Sequence, residues 1–124
     1  MILRLPFPPS TNRLWRIGGG RAHLSPEYRA FLQAAAATLP RERLDAPGFV
    51  VWIKAFPPDR RRRDVDNLAK AILDALTNCG VWKDDALVDD LRATMGEPAS
   101  PPFVIVSITP NLNGRIKPND SDSI

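Results

Sequence analysis

The residues best equipped for chemistry stand together in one stretch, Asp59-Arg60-Arg61-Arg62-Arg63-Asp64-Val65-Asp66-Asn67-Leu68-Ala69-Lys70. Four consecutive arginines can collect phosphates, and the two aspartates that follow can hold a cation. If Asp64 is extended and Asp66 lies in the first turn of a helix, both carboxylates face one point. A plainer role is open to each, since Asp64 can cap the helix and Asp66 can complement its dipole. That role does not account for both acids following four arginines. Lys70 lies four residues after Asp66, on the same helical face. It forms either an ordinary surface ion pair or an ammonium beside a phosphate, where it stabilises charge that develops in a transition state.

A second acidic group, Asp84-Asp85, follows Trp82-Lys83. One of these carboxylates can return to the Asp64/Asp66 pair. Three aspartates without a histidine or cysteine partner suit a hard cation, magnesium or manganese. Such an ion polarises a phosphoryl oxygen and supplies a bound water, which suits phosphodiester hydrolysis. No nucleophilic triad is present. His23, the one histidine, reads as a loop or substrate-contacting residue, and the single cysteine, Cys79, excludes an internal disulfide and a cysteine-based zinc site.

Charge is distributed unevenly. Residues 1–63 balance to +8 and residues 64–124 to −5, giving the net +3. This asymmetry hints at nucleic-acid binding. Arg13, Arg16 and Arg21, interspersed through the segment 11–21, extend the basic set formed by Arg60, Arg61, Arg62 and Arg63. No apolar run approaches membrane-spanning length and no signal peptide opens the chain, so a soluble, cytoplasmic protein without a membrane partner is expected.

The elements that must carry these groups follow from pattern. Leu3, Leu5 and Phe7 alternate as a short strand, and 11–21 reads as a loop with a flexible triple glycine. Ser25-Pro26-Glu27 starts a helix whose apolar stripe is Tyr28, Phe31, Leu32, Ala35 and Leu39, stopped by Pro40. The run from Phe49 to Phe56 predicts a well-buried strand. A second helix starts at Asp64 or Asp66, with Val65, Leu68, Ile72, Leu76 and Cys79 as its stripe and Gly80 as its C-terminal cap. Strands at 87–95 and 103–109 complete one α+β domain over residues 1–110, a small mixed sheet with two helices on one face. Residues 111–124, polar and rich in Pro, Asn, Gly and Ser, predict a disordered tail.

The run from Pro57 to Leu68, then Lys70, Leu73-Asp74-Ala75-Leu76-Thr77 and Gly80-Val81-Trp82-Lys83-Asp84-Asp85, resembles the RusA family of Holliday-junction resolvases of bacteria and their phages. Pro8-Pro9-Ser10-Thr11-Asn12-Arg13 and Gly20-Arg21-Ala22-His23-Leu24-Ser25 look like the same family. The likeness spans roughly residues 3–109 and is dense from 57 to 90, which makes it specific. It implies a homodimeric, magnesium-dependent endonuclease that binds four-way DNA junctions and nicks two strands symmetrically, with manganese as a substitute ion. It implies that Asp64, Asp66 and Asp85 are the catalytic metal-binding acids, with Asp84 ranked just below. Lys70 is then the catalytic lysine, and the arginine run, Arg63 in particular, binds DNA. A two-fold dimer matches the near two-fold symmetry of a junction that needs two cuts, and the strands at 49–56 and 103–109 are candidates for its interface. The Glu97-Pro98-Ala99-Ser100-Pro101-Pro102 turn and the tail depart from the family pattern. The competing classes on this fold are a non-catalytic DNA-binding module and an RNA-directed protein.

Overall fold

The computed structural model describes residues 1–10, 15–18 and 21–120, with the backbone alone at 15–18 and 21–24. Eight elements follow in order: β1 (Ile2–Pro6), β2 (Trp15–Gly18), β3 (Arg21–Leu24), α1 (Pro26–Thr38), β4 (Phe49–Phe56), α2 (Val65–Asn78), β5 (Val88–Met95) and β6 (Phe103–Pro110). Four strands form a mixed sheet in the order β1-β6-β4-β5. β6 is antiparallel to both β1 and β4, whereas β5 runs parallel to β4, so β4, α2 and β5 make one crossover unit. The α+β domain read from the sequence is therefore present.

Both helices begin and end where their chemistry dictates. The buried Ser25 hydroxyl caps α1 by accepting from the Tyr28 N–H at 3.1 Å, and Pro26 occupies the first turn, where its missing N–H costs nothing. α2 buries Leu68, Ala69, Ala71, Ile72, Ala75 and Leu76. It ends with Gly80 at φ 79°, where the Gly80 N–H donates to the Thr77 carbonyl and the Val81 N–H to that of Leu76. This is the left-handed closure for which glycine is suited. Val65, expected on the apolar stripe, is 40% exposed at the first residue of α2.

The core lies between the helices and one sheet face. Phe49, Val51, Ile53 and Ala55 of β4 point into it with Val104, Val106 and Ile108 of β6. Just after α2, Val81 and Trp82 are also buried; the Trp82 indole packs on Phe49 with centroids 5.4 Å apart, and its Nε1–H donates to Thr77 Oγ1 at 2.8 Å. Truncating such a side chain costs about 3–5 kcal/mol.

Two expectations are corrected. β4 is not buried on both faces: its residues alternate, and Trp52 is 45% exposed on the side without helices. Within the 11–21 segment, residues 15–18 are strand and not loop, since β2 and β3 pair antiparallel from Trp15↔Leu24 to Gly18↔Arg21; residues 11–14 and 19–20 lie outside the described residues.

The expected tail begins with an anchored turn. The Asn111 N–H donates to the Gly48 carbonyl at 2.9 Å, its side-chain amide donates to Asp89 Oδ2 at 3.3 Å, and Arg115 Nε pairs with Asp89 Oδ1 at 3.0 Å. One turn of 3-10 helix, Pro118–Asp120, follows.

Candidate active site

β4 ends at Phe56 and hands the chain to a loop, 57–64, that leads into α2. Loops at the carboxyl ends of strands are where α/β units bind ligands. The loop is braced from outside: the Ala99 N–H donates to the Pro57 carbonyl at 2.9 Å, and Arg60 pairs with Glu97 at 2.9 Å. Glu97 and Ala99 belong to the proline-rich turn 97–102, and that turn supports the arginine run.

The four arginines have different surroundings. Arg63 is the most enclosed, with 20% of its side chain exposed. Its Nη1 lies 2.9 Å from Asp59 Oδ1 and donates to the carbonyls of Asp59 at 3.2 Å and Arg61 at 3.0 Å. Its guanidinium lies over the Phe7 ring, 5.6 Å from the centroid. The Arg61 N–H donates to Asp59 Oδ1 at 2.9 Å, and its guanidinium lies 3.4 Å from that carboxylate. Two guanidinium groups and a backbone donor hold the Asp59 carboxyl well below the usual range, at about 2, with the Arg63 hydrogen bond the largest cause. Arg62 is exposed and, among the described residues, makes no ion pair. Beside it opens a cavity of about 620 Å³ lined by Arg61, Arg62, Arg63, Asp64 and Asn67 on one side and Phe7 to Ser10 on the other.

Asp64 is the N-cap of α2 and is extended (φ −76°, ψ 118°), while Asp66 lies in the first turn, as expected. The Asp64 side chain makes no capping bond to the backbone. Its Oδ2 accepts instead from Asn67 Nδ2 at 3.2 Å, and the Asn67 N–H donates to Asp66 Oδ1 at 3.0 Å. One asparagine thus touches both carboxylates, which leaves the capping role of Asp64 unfulfilled and its other oxygen open.

Lys70 does not pair with Asp66. Its Nζ lies 3.6 Å from Asp74 Oδ2, one turn further along α2. Asp85 opens a 3-10 turn, Asp85–Leu87, after the buried Val81 and Trp82; Asp84 caps that turn by accepting from the Ala86 N–H at 3.0 Å. Burial pushes the Asp85 carboxyl up first, a hydrogen bond and the charge of Asp84 add to this, Asp74 adds further, and Lys70 opposes them. Lys70, Asp74, Asp84 and Asp85 therefore share one neighbourhood along the middle of α2.

The structure joins the predicted residues in two groups, Asp64 with Asp66, and Lys70 with Asp85. Among the described residues, no three carboxylate, histidine or cysteine groups stand together as a ready cage for an ion. The donor set still fits magnesium, which keeps several waters and uses one or two carboxylates rather than an all-protein cage. Arg16 and Arg21 lie on the β2–β3 hairpin with side chains outside the described residues, and Arg13 lies outside them altogether. Asp59, Asn67 and Asp74 were missed as site residues. Their spacings were the available signal: four before Arg63, three after Asp64 and four after Lys70.

The family model described as endodeoxyribonuclease RusA matches residues 6–109. A crossover junction endodeoxyribonuclease RusA of Escherichia coli strain K12 is 46% identical over 93 residues, covering 73% of this chain and 78% of the relative. The protein of that name from Enterobacteria phage 82 is also 46% identical over 93 residues with the same coverage, and that of Shigella sonnei is 45% identical. The family match covers most of the chain, including every catalytic and metal-binding candidate, and the chain belongs to the endodeoxyribonuclease RusA family.

Proposed function

We propose that this protein is a magnesium-dependent, homodimeric endodeoxyribonuclease that resolves four-way DNA junctions by symmetric paired nicks. The observation that carries this reading is the paired carboxylates of Asp64 and Asp66 at the N-terminus of α2, directly after the arginine run, in a chain whose relatives bear the name crossover junction endodeoxyribonuclease.

Asp64 and Asp66 would hold the ion, with Asp85 joining from the neighbouring group. When bound, magnesium, or manganese in its place, polarises the phosphoryl oxygen and provides an activated water. The remaining roles fall to the chain itself. Lys70, steadied by Asp74 at 3.6 Å, presents an ammonium to charge developing on the phosphate. Arg60, Arg61, Arg62 and Arg63 supply phosphate contacts around the loop, joined by Arg13, Arg16 and Arg21. Backbone contacts of this type read shape and position rather than sequence.

The dimer is supported by the sheet face that carries no helix. Trp52 is 45% exposed there, with the Arg92 guanidinium 4.9 Å from its ring, and Phe56 stacks on Phe103 at 4.7 Å. Both β4 and β6 contribute to this surface, and its exposed aromatic rings, edged by Arg4, Lys54 and Arg92, are suited to cover by a second copy. Trp52→Asp should therefore shift the mass in sedimentation from dimer to monomer; an unchanged dimer would place the interface elsewhere. No helix among the described residues is long and apolar enough to cross a membrane.

The deciding experiment is cleavage of a labelled mobile four-way junction with and without magnesium, beside a matched linear duplex and RNA. Symmetric nicks in the junction, dependent on the ion, are the expected result. Binding without cutting would identify a non-catalytic DNA module, and preferential cutting of RNA would overturn the DNA assignment.

A further inference from the structure

Asp89 is the extra residue of a β-bulge. Along the parallel pair the register runs Phe49↔Val88 and then Val50↔Asp90, so Asp89 faces no residue of β4. Its carboxylate is nevertheless closely held. Arg115 Nε lies 3.0 Å from Oδ1, and the Asn111 side-chain amide donates to Oδ2 at 3.3 Å. That amide also donates to the Gly114 carbonyl at 3.0 Å, and the Asn111 N–H donates to the Gly48 carbonyl at 2.9 Å. Gly48 makes room for the carboxylate, because a Cβ there would fall on Asp89 Oδ2. The side chain is 12% exposed although Asp89 as a whole is exposed at the sheet edge. Asn111, Gly114 and Arg115 all lie past residues 6–109, which the family model matches.

Little else sets the register of β5. Among the described strands it borders β4 alone, none of its residues is fully buried, and Leu91 is 44% exposed. A strand with so weak a burial pattern is prone to slip, since no core side chain ties it to one register. A slip of one residue moves the chain by about 3.3 Å. The segment that would absorb it is the one that carries Asp85. At the near end of that segment Val81 and Trp82 are buried, and the Val81 carbonyl accepts from the Leu44 N–H at 2.7 Å. Beyond Trp82 the turn is closed by bonds among its own members: the Ala86 and Leu87 N–H groups donate to Asp84, and the Val88 N–H donates to the Asp85 carbonyl. These bonds give the turn its shape and leave its position to its two ends. The far end is Asp89.

We propose that Asn111 and Arg115 are positioning residues for Asp85: by holding the carboxylate of the bulged Asp89 they fix the register in which β5 starts, and with it the place of the Asp84–Asp85 turn beside Lys70. The proposal rests on the reading of Asp85 as an ion-holding acid. A misplacement of about 1 Å can lower a rate about a hundredfold, so a slip of one residue takes Asp85 out of the site.

Asp89→Ala and Arg115→Ala in the full chain test this. In each, the half-saturating magnesium concentration for single-turnover cleavage of the junction rises about tenfold or more, as is usual when a group that supports a metal ligand is removed. Saturating ion restores most of the rate, and junction binding without metal stays close to wild type. A direct DNA contact by Arg115 predicts a different pair of results: Arg115→Ala would weaken binding and flatten its salt dependence, while Asp89→Ala, which removes a negative charge, would leave cutting intact. Lys117→Ala removes a neighbouring cation outside the Asp89 contacts and keeps wild-type magnesium dependence. Asp89→Ala combined with Arg115→Ala is no slower than Asp89→Ala alone, because both remove one contact. In protein without DNA or metal, hydrogen exchange at the Leu87 and Val88 amides quickens in both variants, while the amides of Val104 and Val106 in β6 keep their wild-type rates.

Unchanged magnesium dependence in both variants, additive losses in the double variant, or unchanged exchange at Leu87 and Val88 overturns the proposal. So does exchange that quickens equally at Val104 and Val106, which would reduce the Asp89 contacts to general stability. A wild-type protein that fails to cut the junction in magnesium removes the proposed activity instead, and exchange at Leu87 and Val88 still decides whether the turn after β6 holds the Asp85 segment.

Discussion

The two groups of site residues are built differently. At the N-terminus of α2, Asp64 and Asp66 are already linked through Asn67, and the loop before them is tied by Asp59, Arg63 and the Glu97 turn. Half-way along the helix, Lys70 reaches Asp74 across 3.6 Å with 75% of its side chain exposed, and the Asp85 carboxyl is pushed up by burial first and by Asp84 and Asp74 after it. The first group is organised before any ligand arrives. The second gathers three carboxylates around one exposed ammonium, an excess of negative charge that an arriving cation would offset. An ion or a phosphate therefore finds a finished platform on one side and an incomplete one on the other, and binding should order the second against the first.

The sharpest way to break this comparison is to remove charge from the organised group. Asp64→Asn or Asp66→Asn should lower single-turnover cleavage at least about a hundredfold while junction binding survives or strengthens, because a metal-ligating charge is lost and shape is kept. Wild-type cutting by either variant would reduce that residue to a helix-end acid. Lys70→Ala probes the incomplete group. Its pair with Asp74 is exposed and worth only about 0.3–0.5 kcal/mol, so thermal stability should hardly change, whereas the rate at saturation should fall by roughly ten- to a hundredfold if the ammonium faces the phosphate. An unchanged rate would leave Lys70 as a surface pair.

A smaller effect separates the arginines. Arg62→Ala should flatten the dependence of log affinity on log salt by about one unit, the loss of one phosphate contact. A titration at several salt concentrations with no change of slope would remove Arg62 from the DNA surface.

The smallest effects concern the metal-free protein and pH. Asp59 has its folded pKa lowered to about 2, so its contribution to stability is present above the unfolded value near 3.8 and is lost as pH falls through about 2. Asp85 has its folded pKa raised, so its contribution is present below the unfolded value and is lost as pH rises through the folded one. Thermal unfolding of the two asparagine variants across pH should therefore diverge from wild type in opposite senses near neutrality: Asp59→Asn less stable, Asp85→Asn more stable, and both closer to wild type in acid. The same sign for both would contradict the contrast between the two groups.

Much of this was legible because the signals are local. Ser25-Pro26-Glu27 has one good use, at a helix start, and Gly80 followed by the apolar Val81 has one good use, at a helix end. The placement of Asp64 as extended and Asp66 as helical followed from the same local chemistry. The hairpin was missed because Gly18-Gly19-Gly20 suggested flexibility, although Trp15 to Gly18 and Arg21 to Leu24 flank a two-residue glycine link. The exposure of Trp52 was hidden by the apolar character of both β4 faces; an outward tryptophan looks like a core residue until the absence of a covering helix is known. The Lys70–Asp74 choice over Lys70–Asp66 depends on which side of Lys70 its long side chain takes, which spacing alone does not decide. The different surroundings of four identical arginines depend on Asp59 and Glu97, which only the fold of the loop brings to them.

The turn after β6 bears on how the protein behaves as a material. β5 is a border strand of the sheet, and Asp89 near its start has 12% of its side chain exposed because Asn111 and Arg115 close over it. Border strands with unsatisfied edges are where β-rich proteins stick to one another. A chain cut after residue 110 would lose both of these partners and uncover the start of that strand. Residues 111–115 thus cover Asp89 at the end of a strand edge where a neighbouring chain could otherwise pair.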